Sequence, residues 1–124
     1  MIPYKIKIKI ERLHNGESFI TSEAGNSMTP ILKSKEPTWI SPVESWENCE
    51  IGDIVFCKVR GSYVTHLIHG KNEKRGLLIG NNHGHMNGWT KTVFGKVRPL
   101  SKEELETLNN KEDDNREINT KVSD

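Results

Sequence analysis

The sequence predicts a mainly β protein, a coiled antiparallel sheet or partial barrel followed by one short C-terminal helix. Three observations predict it. Runs of alternating or β-branched residues recur at close spacing between Tyr4 and Val97, and Gly, Asn or Pro separates one run from the next. Only the stretch from Ser101 reads as a helix. With 124 residues the chain has material for one domain and hardly for two.

Taken in order, the first run is Tyr4 to Leu13, where Tyr4, Ile6, Ile8 and Ile10 alternate with Lys5, Lys7, Lys9 and Glu11. A period of two predicts a half-buried antiparallel strand whose lysines guard the outer face against edge pairing. Asn15-Gly16 signals a hairpin turn, with Ser18 to Thr21 as the returning strand. Trp39-Ile40-Ser41-Pro42-Val43 is a short strand ended by proline, and Trp46 to Glu50 is a polar loop. Ile54 to Arg60 and Ser62 to His69 pair around Gly61, while Gly76 to Ile79 and Thr92 to Val97 supply later strands. His83 to Trp89, rich in Gly and Asn, reads as a loop. Ser101-x-x-Glu104 is a capping box ahead of Leu105 and Leu108. The expected organisation is a β-rich domain over 1–100, a helix over 101–109 and a disordered polar tail over 110–124.

Composition narrows the function. A net charge of +1 gives no basic excess for nucleic acid. No apolar run approaches the roughly 20 residues that span a bilayer, and no secretory pattern opens the chain, so a soluble cytoplasmic protein is expected. Cys49 and Cys57 are too sparse for a disulfide framework and read as reduced core or edge residues. His66, His69, His83 and His85 invite a metal, but no tight thiolate pair accompanies them, so neither metal nor cofactor is expected. The partner expected is a polypeptide, as substrate or as binding protein.

Gly25-Asn26-Ser27-Met28-Thr29-Pro30 is the segment in which chemistry concentrates. Gly25 permits backbone angles closed to other residues, and Pro30 fixes its own φ. The serine is thereby presented on a tight turn, as a nucleophile must be. Downstream come Gly52-Asp53-Ile54-Val55 and then Thr65-His66-Leu67-Ile68, with Gly80-Asn81-Asn82 and Val93-Phe94-Gly95-Lys96-Val97 beyond. In this order the segments resemble the catalytic core shared by signal peptidases and the self-cleaving LexA-type repressors, over roughly residues 20 to 98.

The resemblance implies the coiled β fold of that group, with Ser27 as nucleophile and His66 where the histidine-using branch of signal peptidases carries its base. No lysine lies between Tyr63 and Ile68 to form a Ser-Lys dyad. An imidazole takes up and returns a proton near neutral pH, so a Ser-His pair has the chemistry for peptide hydrolysis. The family's arginine after the base is Leu67 here, and the acidic residue of its Gly-Asp-Asn box is Asn81. Asn81 or a neighbouring loop group is expected to orient His66, without the charge that would stabilise an imidazolium. Gly25 replaces a hydroxyl that helps bind the oxyanion in some members, so backbone N–H groups of the turn around Ser27 and Met28 would serve. The rival reading is an inactive scaffold of this fold that binds a protein, as phage-encoded regulators of host proteins do.

Overall fold

The computed structural model describes residues 2–22, 25 and 28–109. It comprises helix α1 (Tyr4–His14), strands β1 (Phe19–Ser22), β2 (Pro37–Pro42), β3 (Ile54–Val59), β4 (Ser62–Asn72), β5 (Gly76–Gly80), β6 (Met86–Thr90) and β7 (Val93–Pro99), and a closing helix α2 (102–109). A 3₁₀ turn, Trp46–Asn48, lies between β2 and β3. All seven strands pair antiparallel in one open sheet of order β1-β2-β7-β3-β4-β5-β6. The mainly β expectation holds. The predicted tail over 110–124 lies outside the described residues.

The connection between β6 and β7 requires the sheet to coil. Three strands stand between them, so a flat sheet would separate them by about 19 Å at roughly 4.8 Å per strand. Thr90 and Val93 are joined by three peptide steps, which reach at most about 11 Å. The sheet therefore curls until the end of β6 meets β3, where Thr90 Oγ1 donates to the Lys58 carbonyl at 2.6 Å and Lys58 N–H to the Thr92 carbonyl at 3.0 Å.

Curling divides the core into two layers. β3 is buried on both faces, with Ile54 and Phe56 on one and Val55, Cys57 and Val59 on the other. The first layer joins Leu13, Met28, Leu32, Ile40 and Val97 to Ile54 and Phe56. The second gathers Cys49, Ile68, Leu77 and Ile79 around Val55, Cys57 and Val59. Lys71 Nζ reaches the Glu47 and Cys49 carbonyls at 2.9 and 2.8 Å, and Lys96 Nζ the Asn48 carbonyl at 3.0 Å. These lysines satisfy carbonyls that the short 3₁₀ turn leaves without partners.

The first segment corrects the sequence reading, because Tyr4–His14 is a helix and not a strand. Its even spacing hides a helical subset: Ile6, Ile10 and Leu13 stand at i, i+4 and i+7. Ile6 and Ile10 pack against the first layer and Leu13 is buried in it. The Asn15-Gly16 signal ends the helix instead of turning a hairpin. Gly16 takes φ +85°, its N–H bonds the Leu13 carbonyl and the Glu17 N–H bonds the Arg12 carbonyl, each at 3.0 Å. That pair of bonds is a Schellman cap. The helix approaches the sheet over Gly95, where a Cβ would lie 3.2 Å from Leu13 Cδ1 and 2.8 Å from the Ser41 carbonyl oxygen. The second correction is β6, a strand where a loop to Trp89 was expected.

At the other end the Ser101 capping box forms as read. Glu104 N–H donates to Ser101 Oγ at 3.1 Å and Ser101 N–H to Glu104 Oε1 at 2.9 Å. Arg98 adds a bidentate pair to the same carboxylate, at 2.9 and 3.0 Å. The hydrogen bonds from Arg98, then that from Ser101 N–H, draw the Glu104 carboxyl down to about 2. A carboxyl depressed on folding stabilises fully above its unfolded value of 4.5 and ceases to do so as pH falls through about 2. Helical ellipticity from α2 should therefore decline between about pH 4.5 and pH 2, and Glu104→Gln should remove that dependence in a circular-dichroism titration.

Candidate active site at the β5–β6 turn

The β3–β4 hairpin closes through Arg60 and Gly61, whose φ values of 48° and 80° are those of a two-residue type I′ turn. This turn fixes the register of β4, setting Val55 opposite His66 and Ile54 opposite Leu67. Alternation then puts His66 with Val64 and Ile68 on the second-layer face and Leu67 on the first. β5 stops at Gly80, which pairs with Leu67. Beside His66 the β4 edge is therefore flanked by the turn over 81–85 and not by a strand.

Asn81 shapes that turn. Its Oδ1 accepts from His83 N–H at 2.8 Å and His85 N–H at 3.0 Å, and its own N–H donates to the His85 carbonyl at 2.9 Å. Its carbonyl accepts a hydrogen bond from His69 Nε2 at 2.9 Å. The asparagine that meets His66 is Asn87, whose Oδ1 lies 2.7 Å from His66 Nδ1. The register of β6 explains how it gets there: Met86 faces Gly80 and Gly88 faces Ile79, leaving Asn87 as the extra residue of a bulge. A bulge re-aims a side chain, here onto the histidine. With an amide oxygen as acceptor, Nδ1 carries the proton and Nε2 is the basic nitrogen of the neutral ring.

Ser27 itself lies outside the described residues, as do Ala24 and Asn26. The residues beside it are anchored. Gly25 has φ +97° and donates its N–H to Ser34 Oγ at 3.0 Å. Met28 is buried in the first layer at 4% exposure. Thr29 is tied to the 81–85 turn twice, its carbonyl accepting from Asn82 Nδ2 at 2.9 Å and its Oγ1 lying 3.1 Å from His83 Nε2. One hairpin thus holds both the segment after Ser27 and the ring of His66.

The sequence reading missed Asn82 and Asn87. Asn87 sits in a five-residue strand containing Gly88, and neither residue favours β structure, so nothing local marked the bulge. The cysteines offer no rival nucleophile: Cys57 is buried and its thiol is pushed up to about 12 by desolvation, while burial also raises Cys49. Among the described residues no group of three or more His, Cys, Asp or Glu is arranged to hold a metal ion. No helix among them is long and apolar enough to cross a membrane. No protein-family model, no curated protein and no solved structure matches the chain.

Proposed function

We propose that the chain is a serine peptidase-like protein of the signal peptidase and LexA group that hydrolyses a peptide bond with Ser27 and His66. The observation that carries this reading is the shared anchorage: the β5–β6 hairpin binds Thr29, two residues after the serine, and also orients the His66 ring. In the proposed reaction His66 Nε2 takes the Ser27 hydroxyl proton as Oγ attacks the carbonyl carbon of an extended polypeptide. Backbone N–H groups of the serine turn stabilise the oxyanion, and the imidazolium returns the proton to the departing amine. Water, activated by the same nitrogen, then releases the acyl group and regenerates the serine. The family resemblance favours small residues before the scissile bond.

The role of Asn87 is testable separately. Asn87→Ala removes the acceptor that fixes the ring, and misplacing a general base by an ångström costs roughly 10²-fold. We expect that loss in kcat with KM little changed, at unaltered far-ultraviolet dichroism. An unchanged kcat would remove Asn87 from the site. The direct test of the whole reading is labelling by a fluorophosphonate, with Ser27→Ala as the control.

One observation favours a second reading. Asn87 is an amide and brings no negative charge to stabilise an imidazolium. A site without that charge suits a protein-binding scaffold that retains the fold and not the reaction. In that case partner binding survives Ser27→Ala and no fluorophosphonate label is found.

A further inference from the structure

Asn87-Gly88 is one of two Asn-Gly pairs in the chain, Asn15-Gly16 being the other. In such a pair the side-chain amide is open to attack by the next backbone nitrogen, because glycine puts no side chain in the way. The fold treats the two pairs differently. Beside Asn15 the Gly16 N–H is committed to the Leu13 carbonyl at 3.0 Å, in the cap of α1. Asn87 is the extra residue of the β5–β6 bulge, which leaves it out of the regular ladder. It is only half-buried, so solvent has access to it.

Two groups prepare this amide for reaction. His66 Nδ1–H donates to Asn87 Oδ1 at 2.7 Å, on the atom that becomes an oxyanion when the amide carbon is attacked. Arg60 stands beside the attacking residue. A Cβ on Gly88 would lie 2.8 Å from Arg60 Nε, so residue 88 admits no side chain and a cation lies near the peptide N–H that must ionise. The steps balance with water alone. The Gly88 nitrogen, its proton given to water, bonds to the side-chain carbonyl carbon of Asn87; the bond from that carbon to Nδ2 breaks, and ammonia leaves with a proton as a succinimide closes. Water then opens the ring, at the side-chain carbon to give aspartate or at the main-chain carbon to give isoaspartate. One water enters, one ammonia departs, and nothing is oxidised or reduced.

We propose that Asn87 is a self-deamidation site, and that its aspartate product gives His66 the carboxylate that the unmodified site lacks. The gain in hydrolysis rests on the peptidase reading, whereas the conversion does not. The test incubates the full chain at mildly alkaline pH and follows the tryptic peptides 13–33 and 76–91 by mass spectrometry with fragmentation. Asn87 should convert at a first-order, concentration-independent rate, about tenfold or more ahead of Asn15. That lead should vanish in guanidinium, where the fold no longer distinguishes the two pairs, and in His66→Ala, which removes the donor on Oδ1. An Asn87 that stays an amide while Asn15 converts, a lead that persists in guanidinium, or an unchanged lead in His66→Ala overturns the proposal. Asn87→Asp reproduces the product and should hydrolyse peptide about tenfold or more faster than the parent, since a carboxylate stabilises an imidazolium as an amide cannot. If it is no faster while the parent takes the fluorophosphonate label, the activating role is refuted. If neither form takes the label, the peptidase reading fails, and the conversion, read by mass, stands on its own.

Discussion

Ser27→Ala should abolish fluorophosphonate labelling and lower peptide hydrolysis by about 10⁴-fold or more, with the melting temperature unchanged. His66→Ala should fall to a similar residual rate, and the double variant should lose little beyond either single one, because nucleophile and base act as a unit. Stability separates this from a folding defect. Removing the one hydroxyl in Ser27→Ala is expected to change stability by no more than about 0.5 kcal/mol. His66→Ala is different, since it deprives the Asn87 oxygen of its partner at a half-buried position and should cost about 1–3 kcal/mol. The activity losses should match while the stability losses do not. Hydrolysis that persists in Ser27→Ala would refute the assignment of the nucleophile.

Much of the fold was legible because turn chemistry and burial agree with local pattern. Gly61 marked the β3–β4 hairpin and the strands Ile54 to Arg60 and Ser62 to His69 on either side of it, and Ser101 and Glu104 marked the cap of α2. The first segment was ambiguous in a definable way. Isoleucines at 6, 8 and 10 fit a period of two, while 6, 10 and 13 fit a period of 3.6. Tertiary contact decided between them: Gly95 leaves room for Leu13 on the sheet, and residue 95 lies too far along the chain for local pattern to register it. Of the candidate site, His66 and the turn containing Gly25 and Met28 stood out through side-chain type and order. Asn87 did not, because its position follows from a one-residue bulge between β5 and β6, and a bulge is a property of pairing and not of either strand alone.

Coiling of the sheet also has a vulnerable point at Gly76, and the second large effect is expected there. Gly76 opens β5 opposite Asn72, after a turn in which Asn72 Oδ1 accepts from the Lys74 and Arg75 N–H groups at 2.9 and 3.0 Å. Two conditions demand glycine. Its φ is +89°, in the left-handed region that costs other residues about 1–2 kcal/mol. A Cβ there would also run into the Thr90 carbonyl oxygen and lie 2.7 Å from Lys91 Cγ, where β6 bends toward β3. Crowding of that kind costs a further 1–3 kcal/mol or so, because the obstacle is backbone and cannot swing away. Gly76→Ala should therefore lose about 3 kcal/mol, or roughly 12–24 °C in Tm for a domain of this size. Gly84→Ala is the matched control, since φ is +93° there but nothing lies within 4 Å of the added carbon. It should lose only the conformational share, about 1–2 kcal/mol. Equal losses at the two positions in thermal denaturation would mean that the close approach of β6 does not constrain residue 76. A larger loss at Gly76 means that closing the coil depends on that missing side chain, and with it the placement of the hairpin that holds His66.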